Sequence, residues 1–435
     1  MGLRVQWYLC CMAMGLAAAP PAIAQMISTK HRLNAQAQLL LHMDGLEGSW
    51  EVMNARANEP GKAESMQGAM LPDDDQLEHE LASTLGEVKM ELSPRVKDFI
   101  ALYARQRRRT TEAILGVASI YGPVVARRLA ELGMPPVLSL LPAALSAYHL
   151  QAVSERGDVG IWQLNHYVAL KEGLTCNSAV DERRDLYKST KAALAYLAEL
   201  HAQYHDWTLA LAAYTCGPAG VTRARQRAGA DARFEQLYSF LPEEGRDYLP
   251  AFGAAAYVIT HSGQLGLLPL QMEAMPLPDQ IPLQEPLRFA LVAKALRIPE
   301  GQLRNMNPVC RSGTVPGLGM NVPLCLPQGY GRRFSLLKDS IYAVQLRREA
   351  ETKREEPTRP ASSAETSEPS VPMYPNQAPQ TPASPYTLYT VKNGDNLWLI
   401  AKKYPGVTPE AIMKANGVDA RLQPGILLKI PKRPK

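Results

Sequence analysis

The chain has 435 residues, 46% of them hydrophobic and 20% charged, with a net charge of +5. That length exceeds one ordinary core and predicts two or three folded units. The mild charge and the lack of a dense Lys/Arg run argue against nucleic-acid binding.

The opening "MGLRVQWYLCCMAMGLAAAPPAIAQ" sets Arg4 before an apolar run and ends on Ala22-Ile23-Ala24, the layout of a cleaved secretory signal over residues 1–24. No later segment reads as a membrane span, so the expected location is exported, in the periplasm or cell envelope. Residues 25–91, with the acidic "PDDDQLEHE", show little sustained periodicity and read as a lead-in, partly extended or helical. From 92 to 265, segments such as "RVKDFIALYARQ", "STKAALAYLAELHAQY" and "DWTLALAAY" space apolar residues three and four apart and predict a helical domain.

Residues 278–345 carry shorter helix-like and strand-like runs around "SGTVPGLGM" and predict a small mixed module. Residues 347–385 are rich in Pro, Glu, Ser and Thr and read as a linker, since they bury too little surface to offset ordering entropy. Residues 386–435 read strand, helix, helix, strand through "YTVK", "DNLWLIAKKY", "TPEAIMKAN" and "ILLKIP". The predicted class is thus multi-domain: a mainly α domain followed by small α+β modules.

Four cysteines remain beyond the signal: Cys176, Cys216, Cys310 and Cys325. In an exported chain disulfides are the expectation, and of the three possible connectivities 176–216 with 310–325 keeps each bridge inside one predicted domain. The scattered histidines suggest no metal site, and no cofactor motif is present.

The last block resembles the LysM domain, a module that binds N-acetylglucosamine-containing glycans, on "YTVKNGDNLWLIAKKY", "EAIMKANGV" and "LQPGILLKIP". The resemblance implies a shallow sugar groove with Gly394, Asp395, Asn396 and Leu397 on one wall and Leu422, Gln423, Pro424 and Gly425 on the other. For Ile400 and Ile412 core packing is the plainer expectation. The 278–345 module keeps a weaker echo in "LVAKALRIPEGQLRNMNP" and "VPLCLP", and reads as a degenerate LysM-like repeat.

The helical domain resembles the goose-lysozyme-like lytic transglycosylases, nearest the membrane-bound lytic transglycosylase D group. The matches are "GMPPVLSLLP", "SAY", "GDVGIWQL", "VDERRD", "YKSTKAALAYLAELHAQYHDW", "LALAAYTCGPAGV" and "YLPAF". Such enzymes cut the bond between N-acetylmuramic acid and N-acetylglucosamine with one carboxyl group, which protonates the leaving oxygen and then takes the proton of the attacking hydroxyl. That glutamate belongs directly before Ser146-Ala147-Tyr148, and here the residue is Leu145.

The resemblance places Gln163, Tyr214 and Tyr248 in the glycan cleft, with Thr215 where the family has asparagine. Trp162 reads as core at least as readily as ligand contact. Glu155 is the substitute acid to weigh; Asp181, Glu182 and Asp185 in "DERRD" read as structural, pairing with arginines and capping the next helix. Two readings follow: a catalytically inactive peptidoglycan-binding or scaffolding protein, to which other envelope proteins would be recruited, and an active transglycosylase with a relocated acid.

Overall fold

The computed structural model describes residues 33–59, 71–229, 231–272, 277–355, 386–391, 397–404, 407–416 and 427–431. The expected signal lies outside them. The chain divides into two compact units, Met1–Leu174 with Glu182–Met275, and Thr175–Asp181 with Pro276–Lys435.

The first unit is helical. Its helices are α1 (Ala35–Glu47), α2 (Trp50–Asn58), α3 (Asp74–Leu85), α4 (Pro94–Ala101), α5 (Arg108–Leu132), α6 (Leu141–Ser146), α7 (His166–Lys171), α8 (Leu186–Tyr204), α9 (Trp207–Cys216), α10 (Pro218–Ala228), α11 (Phe234–Leu237), α12 (Glu243–Arg246) and α13 (Tyr248–Thr260). Asn34, Ser49, Asp73 and Ser93 cap α1 to α4 by accepting from backbone N–H groups one turn inside each helix. α13, apolar on all sides, is buried from Tyr248 to Val258 and packs against α3, α4 and α6. By length and composition α5 could cross a membrane, contrary to the sequence expectation. Its buried face, including Ala113, Ile114, Val117 and Val125, marks it as a core helix.

The lead-in, read from sequence as partly extended or helical, is largely helical where it is described. It supplies α1 to α3, with Leu39, Met43, Leu46 and Leu81 fully buried. The inward face of α1 also carries Gln38 and His42, which breaks the apolar rhythm that periodicity relies on.

In the second unit β1 (Asp279–Ile281) pairs antiparallel with β4 (Leu324–Leu326), and β2 (Leu287–Arg288) with β3 (Thr314–Val315). α14 (Phe289–Leu296) and α15 (Glu300–Met306) complete the module around Leu287, Phe289, Val292, Leu303, Val315 and Phe334. Residues 175–181, expected in the helical domain, join this unit: Asp181 N–H donates to Val309 O (2.8 Å) and Arg311 N–H to Ala179 O (3.0 Å). α16 (Gly331–Glu355) also overruns the expected linker boundary at 347. Phe334, Ile341 and Gln345 anchor it on the module, and Arg347 pairs with Glu351 one turn on (3.1 Å). Residues 356–385 of that linker lie outside the described residues.

The C-terminal block has the expected order: β5 (Tyr386–Thr390), α17 (Leu397–Lys402), α18 (Pro409–Asn416) and β6 (Leu427–Pro431), with β5 antiparallel to β6. Ile400 and Ile412 are in its core, as expected.

One polar device recurs in both small modules. The Asn307 amide donates to Leu303 O and Cys325 O and accepts from Cys325 N–H, each at 2.8 Å. Asn416 does the same with Ile412 O (2.7 Å), Lys429 O (2.8 Å) and Lys429 N–H (2.6 Å). In each case an asparagine just past or at the end of the second helix clamps the last strand. Asn307→Ala leaves a strand N–H and C=O unpaired and is expected to cost the module about 2 kcal/mol, read as faster hydrogen exchange at Cys325 and its neighbours.

Candidate functional site

α6 ends in two successive left-handed residues, Ala147 (φ 54°) and Tyr148 (φ 59°), which turn the chain out of the helix just after Leu145. Ser146 Oγ donates to Ile161 O (2.8 Å), tying this turn to the "GDVGIWQL" loop. Within that loop Val159 bridges both Val153 and Leu164. Gly160 (φ 81°) admits no side chain, because a Cβ there would sit 2.0 Å from Arg183 O. The Arg183 guanidinium donates to Gly157 O (2.9 Å) and Leu164 O (3.1 Å), and so clamps the loop.

Trp162 is fully buried and donates from Nε1 to Thr190 Oγ1 (2.9 Å), so it is a core residue. Tyr214 OH donates to Trp162 O (2.7 Å), which brings Tyr214 beside Gln163. Gln163 Nε2 donates to Gly160 O (2.8 Å), while its buried Oε1 has no protein partner. Thr215 is buried and its hydroxyl turns back to Leu211 O (3.2 Å) and Ala212 O (3.4 Å), so it faces its own helix and not a ligand. Tyr248 is buried at the start of α13, and burial pushes its phenol well above the ordinary tyrosine range.

Leu145 is 2% exposed. Its carbonyl accepts from His42 Nδ1 (3.0 Å), and His42 Nε2 lies 3.0 Å from Gln38 Nε2. Gln38 Oε1 accepts from Glu155 N–H (3.0 Å), so Gln38 Nε2 is the donor to His42 Nε2, which leaves the imidazole proton on Nδ1. Burial lowers the His42 pKa and favours this neutral form. A continuous chain of bonds therefore runs from Leu145 through α1 to the loop at Glu155. One turn further along the same face of α1, a Cβ at Gly45 would lie 3.0 Å from the His149 ring, whose pKa is lowered to about 4 by burial and then by His42 and Arg184.

The Glu155 carboxylate is exposed and accepts from Leu33 N–H (2.8 Å). Asp158, which the sequence reading passed over, is the buried carboxylate of the loop; its Oδ2 accepts from Arg156 Nε (3.1 Å) and Nη2 (3.0 Å). Asp185 caps α8 through Tyr187 N–H and Lys188 N–H (2.9 and 2.8 Å), and Glu182 pairs with Lys188 (2.5 Å). Asp181 is buried in the second unit. Among the described residues no group of three or more His, Cys, Asp or Glu is placed to hold a metal.

Neither expected disulfide is formed, since Cys216 and Cys310 carry thiols. Cys216 belongs to the first unit and packs its sulfur against Gly245, whereas Cys176 belongs to the second. Cys310 is buried in the module core, with Cys325 close enough to add to the upward shift of its thiol. Burial pushes the two thiols up to about 11 (Cys216) and about 12 (Cys310). In the C-terminal block Leu397 is buried in the core, not open on a groove. Gly394, Asp395, Asn396, Leu422, Gln423, Pro424 and Gly425 lie outside the described residues.

A mostly helical lysozyme-like domain followed by small α+β modules is the class these observations define. Family models agree: a transglycosylase SLT domain matches residues 127–237, the LysM-like domain of lytic transglycosylase MltD matches 278–343, and a LysM domain matches 389–431. The chain thus carries an SLT domain followed by two LysM-type domains. It is similar to the membrane-bound lytic murein transglycosylase D of two Escherichia coli strains, 30% identical over 226 residues that cover 51% of this chain and 50% of each relative. The chain therefore spans about half the length of the curated relatives it matches. A solved structure, the inactive mutant of lytic transglycosylase Slt from Pseudomonas aeruginosa, is similar at 18% identity and a TM-score of 0.29, covering 59% of this chain and 39% of that one.

Proposed function

We propose that this is an exported, cell-envelope peptidoglycan-binding protein whose transglycosylase-like domain is catalytically inactive and serves to bind or scaffold the cell wall. The observation that carries the inactive reading is position 145. The reaction needs a carboxyl group within hydrogen-bond reach of the glycosidic oxygen, able to give and then take a proton. Here the position holds an alkyl side chain, closed to solvent, with its backbone tied to α1. Neither loop carboxylate makes up the loss: Glu155 is engaged by Leu33 N–H and Asp158 by Arg156. Peptidoglycan as ligand and the envelope as location are supported by the LysM domain and by relatives whose names specify a membrane-bound murein enzyme.

Digestion of purified peptidoglycan, followed by mass spectrometry, is expected to yield no anhydro-muropeptides, while the full chain sediments with the insoluble polymer. Robust release, abolished by Glu155→Gln, would instead establish a relocated acid. Recovery of the chain wholly in the supernatant at low salt would refute the binding reading.

A further inference from the structure

The wall of the first unit built by α7, α8 and α9 carries a run of aromatic side chains that begins at the cleft and leaves it. Tyr214, held beside Gln163, meets Tyr196 of α8 with ring centroids 5.7 Å apart and planes at 44°. Lys171 Nζ lies 5.7 Å from the Tyr196 ring centroid and is ion-paired with Glu199. Tyr167 stands one helical turn before Lys171, on the same face of α7, and is 56% exposed. The order along the surface is therefore Gln163, Tyr214, Tyr196, the Lys171–Glu199 pair, then Tyr167.

This combination has the chemistry of carbohydrate recognition. Tyrosine rings present flat apolar faces to the C–H side of a pyranose, and the charged pair beside them can bond its hydroxyls. At the inner end, the buried Gln163 Oε1 is an acceptor without a protein donor, suited to the N–H of an acetamido group. A core role does not explain the outer members, since Tyr167 and the Lys171–Glu199 pair are solvent-facing.

We propose that Tyr167, Lys171, Tyr196 and Glu199 form an outer subsite for an N-acetylglucosamine-containing glycan strand, continuous with Gln163 and Tyr214. The occupant is argued from that continuity and from the LysM domain on the same chain. The proposal rests on the peptidoglycan-binding reading and extends it: the helical domain keeps a grip on glycan along a wall that does not involve position 145.

The test uses the full chain and soluble glycan strands stripped of their peptides by an amidase, with hydroxyl-radical footprinting read by peptide mass spectrometry. Tyr187 is the internal control. It is 62% exposed on α8, but nine residues from Tyr196 and so about half a turn around the helix. Strands are expected to slow oxidation of Tyr167 and Tyr196 at least three-fold and leave Tyr187 unchanged. Tyr167→Ala should weaken strand protection of Tyr196 about five-fold, as expected for loss of one aromatic contact, and Tyr167→Phe should retain it. Sedimentation with insoluble peptidoglycan is read in parallel. A chain that sediments without protection of Tyr167 and Tyr196 overturns the outer subsite alone, and a chain that neither sediments nor shows protection overturns the binding reading as well. Equal protection of Tyr187, or protection by envelope proteins and not by strands, also overturns the subsite.

Discussion

Leu145→Glu is expected to lower the stability of the helical domain by about 4 kcal/mol at neutral pH and still to release no anhydro-muropeptide. The position is 2% exposed. A carboxyl group there loses hydration in its charged form, so its folded pKa rises above the unfolded value of about 4.3. If it is raised past 7, the linkage cost at pH 7 is about 1.36 kcal/mol for each of some 2.7 units, or about 4 kcal/mol. The sign makes a second check. For an acid with a raised folded pKa the penalty grows as pH rises above about 4.3 and vanishes below it, so the deficit against the parent should shrink as pH falls from 7 to 4.5. Activity fails for a separate reason. A neutral carboxyl could donate a proton, but proximity to the glycosidic oxygen is lacking where the site is closed, and Thr215 spends its hydroxyl on its own helix. Urea titrations at the two pH values, with mass spectrometry of digested peptidoglycan, decide the matter. A variant as stable as its parent that releases anhydro-muropeptides would show that the cleft is open and lacked only its acid.

The parts legible in the sequence are those whose chemistry is local. α8 repeats its apolar residues at helical spacing and carries its cap, Asp185, directly before it. The C-terminal block shows its strand, helix, helix and strand in order because each short run ends at a polar or Pro/Gly turn. What was hidden depends on pairing across sequence distance. α1 lacks a clean apolar stripe because Gln38 and His42 occupy core positions, and their partners, Leu145 and Glu155, stand more than a hundred residues away. Residues 347–355 of α16 read as linker because seven of the nine are charged, although charges of opposite sign one turn apart suit an exposed helix. The family resemblance marks Thr215 as standing where asparagine is usual, but not that its hydroxyl turns back on its own helix. The cysteine arithmetic likewise could not see that Cys176 and Cys216 fall in different compact units.

Acid should undo the α1 contact before it unfolds anything else. His149 has its pKa lowered to about 4, and His42 is lowered as well, in both cases chiefly by burial. A histidine with a depressed folded pKa imposes no penalty above its unfolded value near 6.5, and the fold loses stability as pH falls from there towards the folded value. For His149 alone that loss is on the order of 3 kcal/mol by pH 4. Around His42 the carbonyls of Leu145 and Val153 and the Asp158 charge favour protonation, but burial outweighs them. Protonation at Nε2 converts an acceptor into a donor facing the Gln38 amide N–H. Gln38 must then flip, and the flipped amide presents N–H to Glu155 N–H, which releases the cleft loop. The expected result is a urea midpoint that falls between pH 6.5 and 4, a shallower fall in His149→Asn, and a Glu155 amide whose hydrogen exchange, corrected for intrinsic rate, accelerates over the same interval. A flat midpoint, or a His149→Asn variant with the parent's slope, would show that these imidazoles are not held neutral by the fold. Exchange at Glu155 that ignores pH while the midpoint falls would place the acid lability elsewhere than in the chain of bonds from Leu145 through His42 and Gln38 to the loop.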